Sequence, residues 1–272
     1  MKIAREFRPW IWCIAWLIFF VLIISLLTKQ FYEIATMPNC KIEYELLSKK
    51  PPSTLNSPIV IALGDSLLKH ATPKTQWLNK NVRWYRANIP AAQQRQFVPI
   101  FPALEKVNPS LLLVQDTLLL KKLKIRWDTR AKITIRYLVS FFFPLPKDPC
   151  NKAMDTWRES VRDPNDMIKL YDEEYSRSML LSDTSKQWLL KLKELSEKLI
   201  VVHFPRSIEQ SKSDVRVNWL ENMEMELSKL DIEIISIGEP LDGTYYRDGA
   251  HVNRKGRELR MRQLDLLIES LL

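Results

Sequence analysis

The sequence predicts an α/β fold: a parallel sheet of about five strands with helices on both faces, preceded by one transmembrane helix. Three observations predict it. Short runs at residues 59–63, 111–115 and 199–203, the first apolar throughout and the others apolar up to Gln115 and His203 at their ends, read as strands of a parallel sheet, the first buried on both faces. Stretches with apolar residues at helical spacing alternate with them, and that alternation is the signature of helices covering a sheet. Ahead of all this, residues 10–27 form an eighteen-residue run whose one clearly polar member is Ser25.

The elements follow in order. At helical rise the run 10–27 spans about 27 Å, close to the hydrocarbon thickness of a bilayer. Lys2, Arg5 and Arg8 precede it, so the positive-inside rule keeps the N-terminus cytoplasmic and exports the rest. The run is long for a cleaved signal peptide, and Thr28-Lys29-Gln30-Phe31-Tyr32 offers no cleavage site of small residues. Residues 1–30 are therefore expected to be a cytoplasmic tip and anchor, and residues 31–57 a stalk punctuated by Pro38, Pro51 and Pro52. The α/β domain is expected over 58–272.

Within that domain the first strand is 59–63, and a short helix opens at Ser66 and stops before Pro73. A second strand is expected at 82–85, then a helix over 93–106 broken around Pro99 and Pro102. The third strand is 111–115, the fourth 199–203, the fifth 232–237. The final helix covers 254–271, with Leu264, Leu267, Ile268 and Leu271 on one stripe. Residues 120–198 read as a mostly helical insertion packed on the sheet, with Trp188, Leu192 and Leu195 on one face of a helix over 186–198.

Composition narrows the function. The chain has 272 residues and a formal charge of +9. Lys2, Arg5, Arg8 and Lys29 against Glu6 supply +3 of it, leaving +6 on the remainder. That charge favours acidic partners, but no nucleic-acid motif is present and a membrane anchor points away from that partner. No Cys/His spacing suggests a metal, and no cofactor motif stands out. Cys13 lies in the apolar run; an oxidising compartment would favour pairing of Cys40 with Cys150, though nothing in the sequence brings them together. Basic residues from Lys121 to Arg136 lead into the aromatic run Phe141-Phe142-Phe143. This segment reads either as a solvated face followed by a core-packing stretch or as a membrane-surface or glycan-binding strip.

The chemistry concentrates at two places. Gly64-Asp65-Ser66-Leu67 follows the first strand, and Asp248-Gly249-Ala250-His251 precedes the last helix. Open parallel sheets bind ligands at the carboxyl ends of their strands, where Ser66 would sit. A serine hydroxyl is a weak nucleophile and needs a base and a group that orients the base. His251 and Asp248, three residues apart, could supply both; an N-cap role for Ser66 and an ordinary turn at Asp248-Gly249 are the plainer alternatives. His203, at the end of the fourth strand, reads as a core histidine held by a backbone group, and His70 as an exposed helix residue.

Together the two motifs resemble the GDSL, or SGNH, hydrolase superfamily, over about residues 58–272. The resemblance implies that Ser66 is the nucleophile, His251 the base and Asp248 its orienter. It also implies an oxyanion hole with a glycine after the second strand and an asparagine after the third. Here those stretches read Arg86-Ala87-Asn88-Ile89-Pro90-Ala91-Ala92 and Val114-Gln115-Asp116-Thr117, without either residue. Ala91, through its backbone N–H, Gln115, through its side chain, and Asn88 are the candidate substitutes. Asp116 is a poor one, because a carboxylate repels an oxyanion. The implied function is a serine esterase or O-acyltransferase, anchored in a bacterial cytoplasmic membrane with its C-terminal domain exported. It would act on an acylated glycan of the cell envelope, acetyl being the implied group, with a membrane-embedded acyl donor as partner. Two rivals stand beside it: a non-catalytic glycan-binding or assembly subunit, and a lipid esterase at the bilayer surface.

Overall fold

The structure is a computed structural model, and it describes residues 12–20, 23, 57–72, 82–88, 93–120, 172–248 and 250–272. The chain divides into two compact units, Met1–Asn39 with Lys124–Met154 and Cys40–Leu123 with Asp155–Leu272. In the first unit, residues 12–20 are helical, with Trp12, Trp16, Leu17, Phe19 and Phe20 all more than half exposed. Trp16 and Phe19 stack edge to face, their centroids 5.6 Å apart. Among the described residues no helix is long and apolar enough to cross a membrane; both ends of the expected span lie outside them. Cys40, Cys150 and the basic and aromatic strip from Lys121 onward also lie outside the described residues.

The second unit holds five parallel strands in the order β2-β1-β3-β4-β5. They are β1 (Ile59–Gly64), β2 (Arg83–Asn88), β3 (Leu111–Gln115), β4 (Leu199–His203) and β5 (Glu233–Ser236). The helices are α1 (Ser66–Ala71), α2 (Phe101–Val107), α3 (Asp183–Glu194), α4 (Ile208–Ser211), α5 (Asp214–Ser228) and α6 (Arg254–Leu271). Every residue of β1 and β3 is buried, so both faces of the sheet centre are covered. On one face Val60, Ala62, Leu111, Leu113, Ile200 and Val202 pack with Leu68 of α1 and Leu264 and Ile268 of α6. Removing one such side chain, as in Leu113→Ala, costs about 2–5 kcal/mol.

β3 and β4 begin and end as their sequence predicts, and β1 runs one residue further, to Gly64; the mixed strands differ more. β2 runs to Asn88, three residues past the expected end, because its partner β1 runs to Gly64 and the two pair along their full length. β5 is shorter than the expected 232–237 and half exposed, as an edge strand of the sheet. The expected helix at 93–106 is a 3-10 turn over Gln94–Ile100 followed by α2, divided where Pro99 and Pro102 fall. α3 starts three residues before the expected position, because the Ser182 hydroxyl caps it by accepting from the Ser185 N–H. It stops at Glu194 so that the chain can turn into β4.

The described end of the insertion packs on the sheet domain. Tyr175 stacks edge to face on Trp219 of α5 with centroids 5.0 Å apart, and the Arg206 and Arg216 guanidinium carbons stand 5.8 and 5.5 Å from its ring centre. Complete burial pushes the Tyr175 hydroxyl pKa up.

Candidate active site

The sheet order 2-1-3-4-5 has its switch point between β1 and β3, where the chain leaves β1 toward opposite edges. Crevices at such points, outside the carboxyl ends of the strands, are where open sheets hold ligands. Gly64-Asp65-Ser66 occupies that position. Gly64 is needed there: a Cβ would come 2.5 Å from Gln115 Oε1 and 2.7 Å from Leu68 Cβ.

The turn is locked from β3. Gln115 Oε1 accepts from the Asp65 N–H (2.9 Å) and the Leu68 N–H (3.2 Å). Its Nε2 donates to Asp65 Oδ1 (2.9 Å) and Thr117 Oγ1 (2.6 Å), and Thr117 Oγ1 donates to Asp65 Oδ2 (2.9 Å). Asp65 Oδ1 also accepts from the Leu67 N–H at 2.8 Å, making Asp65 the N-cap of α1. Ser66 is thus the first residue inside the helix, and its hydroxyl is not spent on the cap. The Lys69 N–H donates to the Asp65 carbonyl. Among the described residues the Ser66 N–H alone, of the amides from Asp65 to Lys69, has no acceptor.

Three side chains then line up. Ser66 Oγ lies 2.8 Å from His251 Nε2, and His251 Nδ1 lies 2.8 Å from Asp248 Oδ2. Asp248 Oδ1 accepts the backbone N–H groups of Ala250 (3.1 Å) and His251 (2.8 Å). Burial pushes the Asp248 carboxyl up, but the His251 ring bond and charge, with the two backbone bonds, outweigh it and hold it down to about 2. Asp248 is therefore ionised at neutral pH. It fixes the His251 tautomer, with Nδ1–H facing the carboxylate and Nε2 free to take the serine proton.

The loop that delivers this pair is itself held. Tyr246 and Val252 form an antiparallel bridge, closed by the Arg247 N–H on the His251 carbonyl at 2.8 Å. The buried Arg260 of α6 donates to the Tyr246 hydroxyl (3.1 Å) and to the carbonyls of Ile237, Glu239 (2.9 Å) and Pro205 (3.3 Å). Asn253 caps α6 through the Gly256 N–H. Gly256 is needed there too, since a Cβ would lie 2.4 Å from the Tyr245 carbonyl oxygen.

The expected oxyanion residues fare differently. Gln115 is corrected: it is fully buried and both hydrogens of its amide are already donated, so none remains for a substrate oxygen. Asn88 is buried at the end of β2, opposite Gly64 in the register. Ala91 lies outside the described residues. Two other histidines also differ from expectation. His203 Nδ1 is held at 2.7 Å by the buried Asp116 carboxylate rather than by a backbone group. His70 is buried rather than exposed, edge-on to His251 with ring centroids 5.1 Å apart. The roles of Asp65, Thr117 and Arg260 carried no signal in the sequence, because each acts through partners from other elements.

The five parallel strands thus carry Ser66, His251 and Asp248 together at their carboxyl edge. No family model matches the sequence, and no curated protein matches it. Similar solved structures include LAE5, an α/β hydrolase from the metagenome of Lake Arreo (10% identity, 80% of this chain and 98% of that one, TM-score 0.43). Another is Axe2, an acetylxylan esterase from Geobacillus stearothermophilus (10%, 78% and 94%, TM-score 0.41). A third is a member of the lipolytic G-D-S-L family from Veillonella parvula (10%, 77% and 98%, TM-score 0.39).

Proposed function

We propose that this chain is a serine esterase or O-acyltransferase in which Ser66, His251 and Asp248 carry the reaction. The observation that supports this most is the unbroken hydrogen-bond chain Ser66 Oγ–His251 Nε2 and His251 Nδ1–Asp248 Oδ2, each link 2.8 Å. Ser66 Oγ attacks the ester carbonyl while its proton passes to His251 Nε2. The imidazolium then returns that proton to the departing alcohol, leaving an acyl-Ser66. Water or a sugar hydroxyl attacks the acyl carbon, gives its proton to His251, and releases Ser66 with its hydroxyl restored.

The Ser66 N–H supplies one oxyanion donor in this reading. A side-chain donor from β3 is missing, since Gln115 holds the turn instead. One lost donor typically costs about two to three orders of magnitude in rate. Small esters are then hydrolysed slowly, which suits a transferase whose acceptor binds tightly. The substrate class we propose is an acylated glycan outside the cytoplasm, with residues 10–27 anchoring the chain and a membrane-embedded protein supplying the acyl group. That part rests on the apolar run, the basic N-terminus and the resemblance.

The test is intact-mass analysis of the full chain in detergent after incubation with a chromogenic acetyl ester. An acetyl increment mapped to Ser66, absent in Ser66→Ala and His251→Ala, is the expected result. No increment, no fluorophosphonate labelling and unchanged glycan binding in Ser66→Ala would replace the enzyme with a binding subunit.

A further inference from the structure

Ser66 and His70 lie four residues apart on α1, so one face of that helix carries both. His251 meets both of them. Its Nε2 is 2.8 Å from Ser66 Oγ, and its ring stands at 73° to the His70 ring with centroids 5.1 Å apart. The contact is fixed from behind, because Arg257 of α6 donates through Nε to the His70 carbonyl at 2.8 Å. The helix that follows His251 therefore grips the residue that His251 leans on.

His70 is an unexpected residue for that place. Its Nδ1 is buried and has no hydrogen-bond partner among the described residues. A buried polar atom left unpaired costs free energy, and an apolar ring would fill the same space without that cost.

We propose that His70 is a positioning residue for His251: its uncharged ring holds the base between Ser66 and Asp248 and leaves room for the positive charge that forms there. This rests on the reading of Ser66 and His251 as nucleophile and base. The surroundings keep His70 uncharged. Burial acts first, and then the charges of His251 and Arg247 from the loop, Arg257 from α6 and Lys69 from its own helix, together lowering its pKa to about 3. Among the described residues, those four are the charged groups that act on it most. When His251 takes the serine proton it becomes a cation in contact with His70. A neutral neighbour permits that; a charged one would repel it.

The ring also restricts rotation. His251 must keep Nε2 on Ser66 and Nδ1 on Asp248 at once, and Asp248 is half exposed and pins only one side of the imidazole. His70 blocks the swing away from Ser66. A misplacement of about 1 Å in such an arrangement typically costs about a hundredfold in rate.

The experiment compares the full chain with His70→Ala and His70→Phe, measuring kcat and KM against pH with a chromogenic acetyl ester, the rate of fluorophosphonate labelling at Ser66, and Tm. His70→Ala is expected to lower kcat and labelling by about ten- to a hundredfold with KM little changed. Its acid limb should move to higher pH, because water reaching the vacated space solvates the imidazolium. His70→Phe is expected to restore both rates to within about threefold of the parent, with an unshifted acid limb, since the edge-on contact is kept. A purely structural role would lower Tm and leave the acid limb in place. Parent-like kcat and pH profile in His70→Ala would overturn the proposal, as would a His70→Phe variant as slow as His70→Ala. If His70→Ala melts below the assay temperature, His70→Phe alone decides, and a shifted acid limb or a tenfold loss in it overturns the proposal. Ser66→Ala and His251→Ala run beside them: parent-like turnover in those two removes the catalytic site itself, whereas their inactivity with parent-like His70→Ala removes only the role of His70.

Discussion

Gln115 and Asp65 exchange two hydrogen bonds across the β1–β3 switch point. The Gln115 oxygen takes the Asp65 N–H and the Gln115 nitrogen donates to the Asp65 carboxylate, each at 2.9 Å. A residue in the place of an expected oxyanion donor thus holds the nucleophile's turn in position instead. The partners fix the orientation of the amide, because N–H groups can meet only its oxygen and a carboxylate only its nitrogen.

Gln115→Ala should therefore destabilise the fold as well as slow the reaction. It leaves the Asp65 and Leu68 N–H groups without the Gln115 oxygen and removes two donors from the Asp65–Thr117 pair. Unpaired buried groups cost about 1–3 kcal/mol each, so a loss of about 2–4 kcal/mol is expected in urea denaturation. A variant with parent stability but a hundredfold lower kcat would return Gln115 to the oxyanion hole.

The two aspartate–histidine pairs should separate cleanly. His251→Ala is expected to abolish fluorophosphonate labelling of Ser66, while His203→Ala keeps most of it. His203→Ala should instead lower stability by about 2–4 kcal/mol, because the Asp116 carboxylate stays buried after losing its ring partner. Labelling that vanishes in His203→Ala and persists in His251→Ala would reverse the assignment.

Asp248 sets how acid affects the site. Its folded pKa is about 2, below the usual carboxylate value, so what it contributes to stability is present above about pH 4 and is lost as pH falls through 2. Asp248 therefore stays charged above about pH 4, and a loss of activity above that pH does not come from its carboxylate. Asp248→Asn should cut kcat by up to about four orders of magnitude without unfolding the domain. An acid limb that disappears in Asp248→Asn would place the titration on the carboxylate instead.

His70 makes the domain acid-sensitive in a different window. Its folded pKa is lowered from 6.5 to about 3, so the unfolded chain binds a proton that the folded one refuses. Stability is then lost progressively as pH falls from about 6.5 toward 3, at up to about 1.4 kcal/mol per pH unit. Tm measured from pH 7 to pH 4 should fall more steeply in the parent than in His70→Phe. Parallel curves would mean that His70 is solvated.

Membrane topology tests the proposed location. With Lys2, Arg5 and Arg8 ahead of the apolar run, a reporter fused after Leu272 is expected to work only on the exported side. Activity of that fusion in the cytoplasm would remove the glycan substrate and the oxidising environment of Cys40 and Cys150 together.

By itself the sequence determined the strands, the nature of the sheet and the three side chains brought together at its edge. Short runs such as Leu111-Leu112-Leu113-Val114, alternating with helical stretches, read as strands covered on both faces, and Asp248 to His251 is a local spacing that one turn can close. Tertiary structure alone decided what Gln115, His70 and His203 do. An amide can donate to a substrate or to a neighbouring turn, and a histidine can face water, a carboxylate or another histidine. Which partner it meets depends on strand order, since β1 and β3 are fifty residues apart at Asp65 and Gln115, and His70 and His251 are brought together by α1 and α6. Local pattern marks the apolar core and its elements; the burial of a polar residue such as His70 and the partners it meets come from elements distant in the chain, and only packing selects among them.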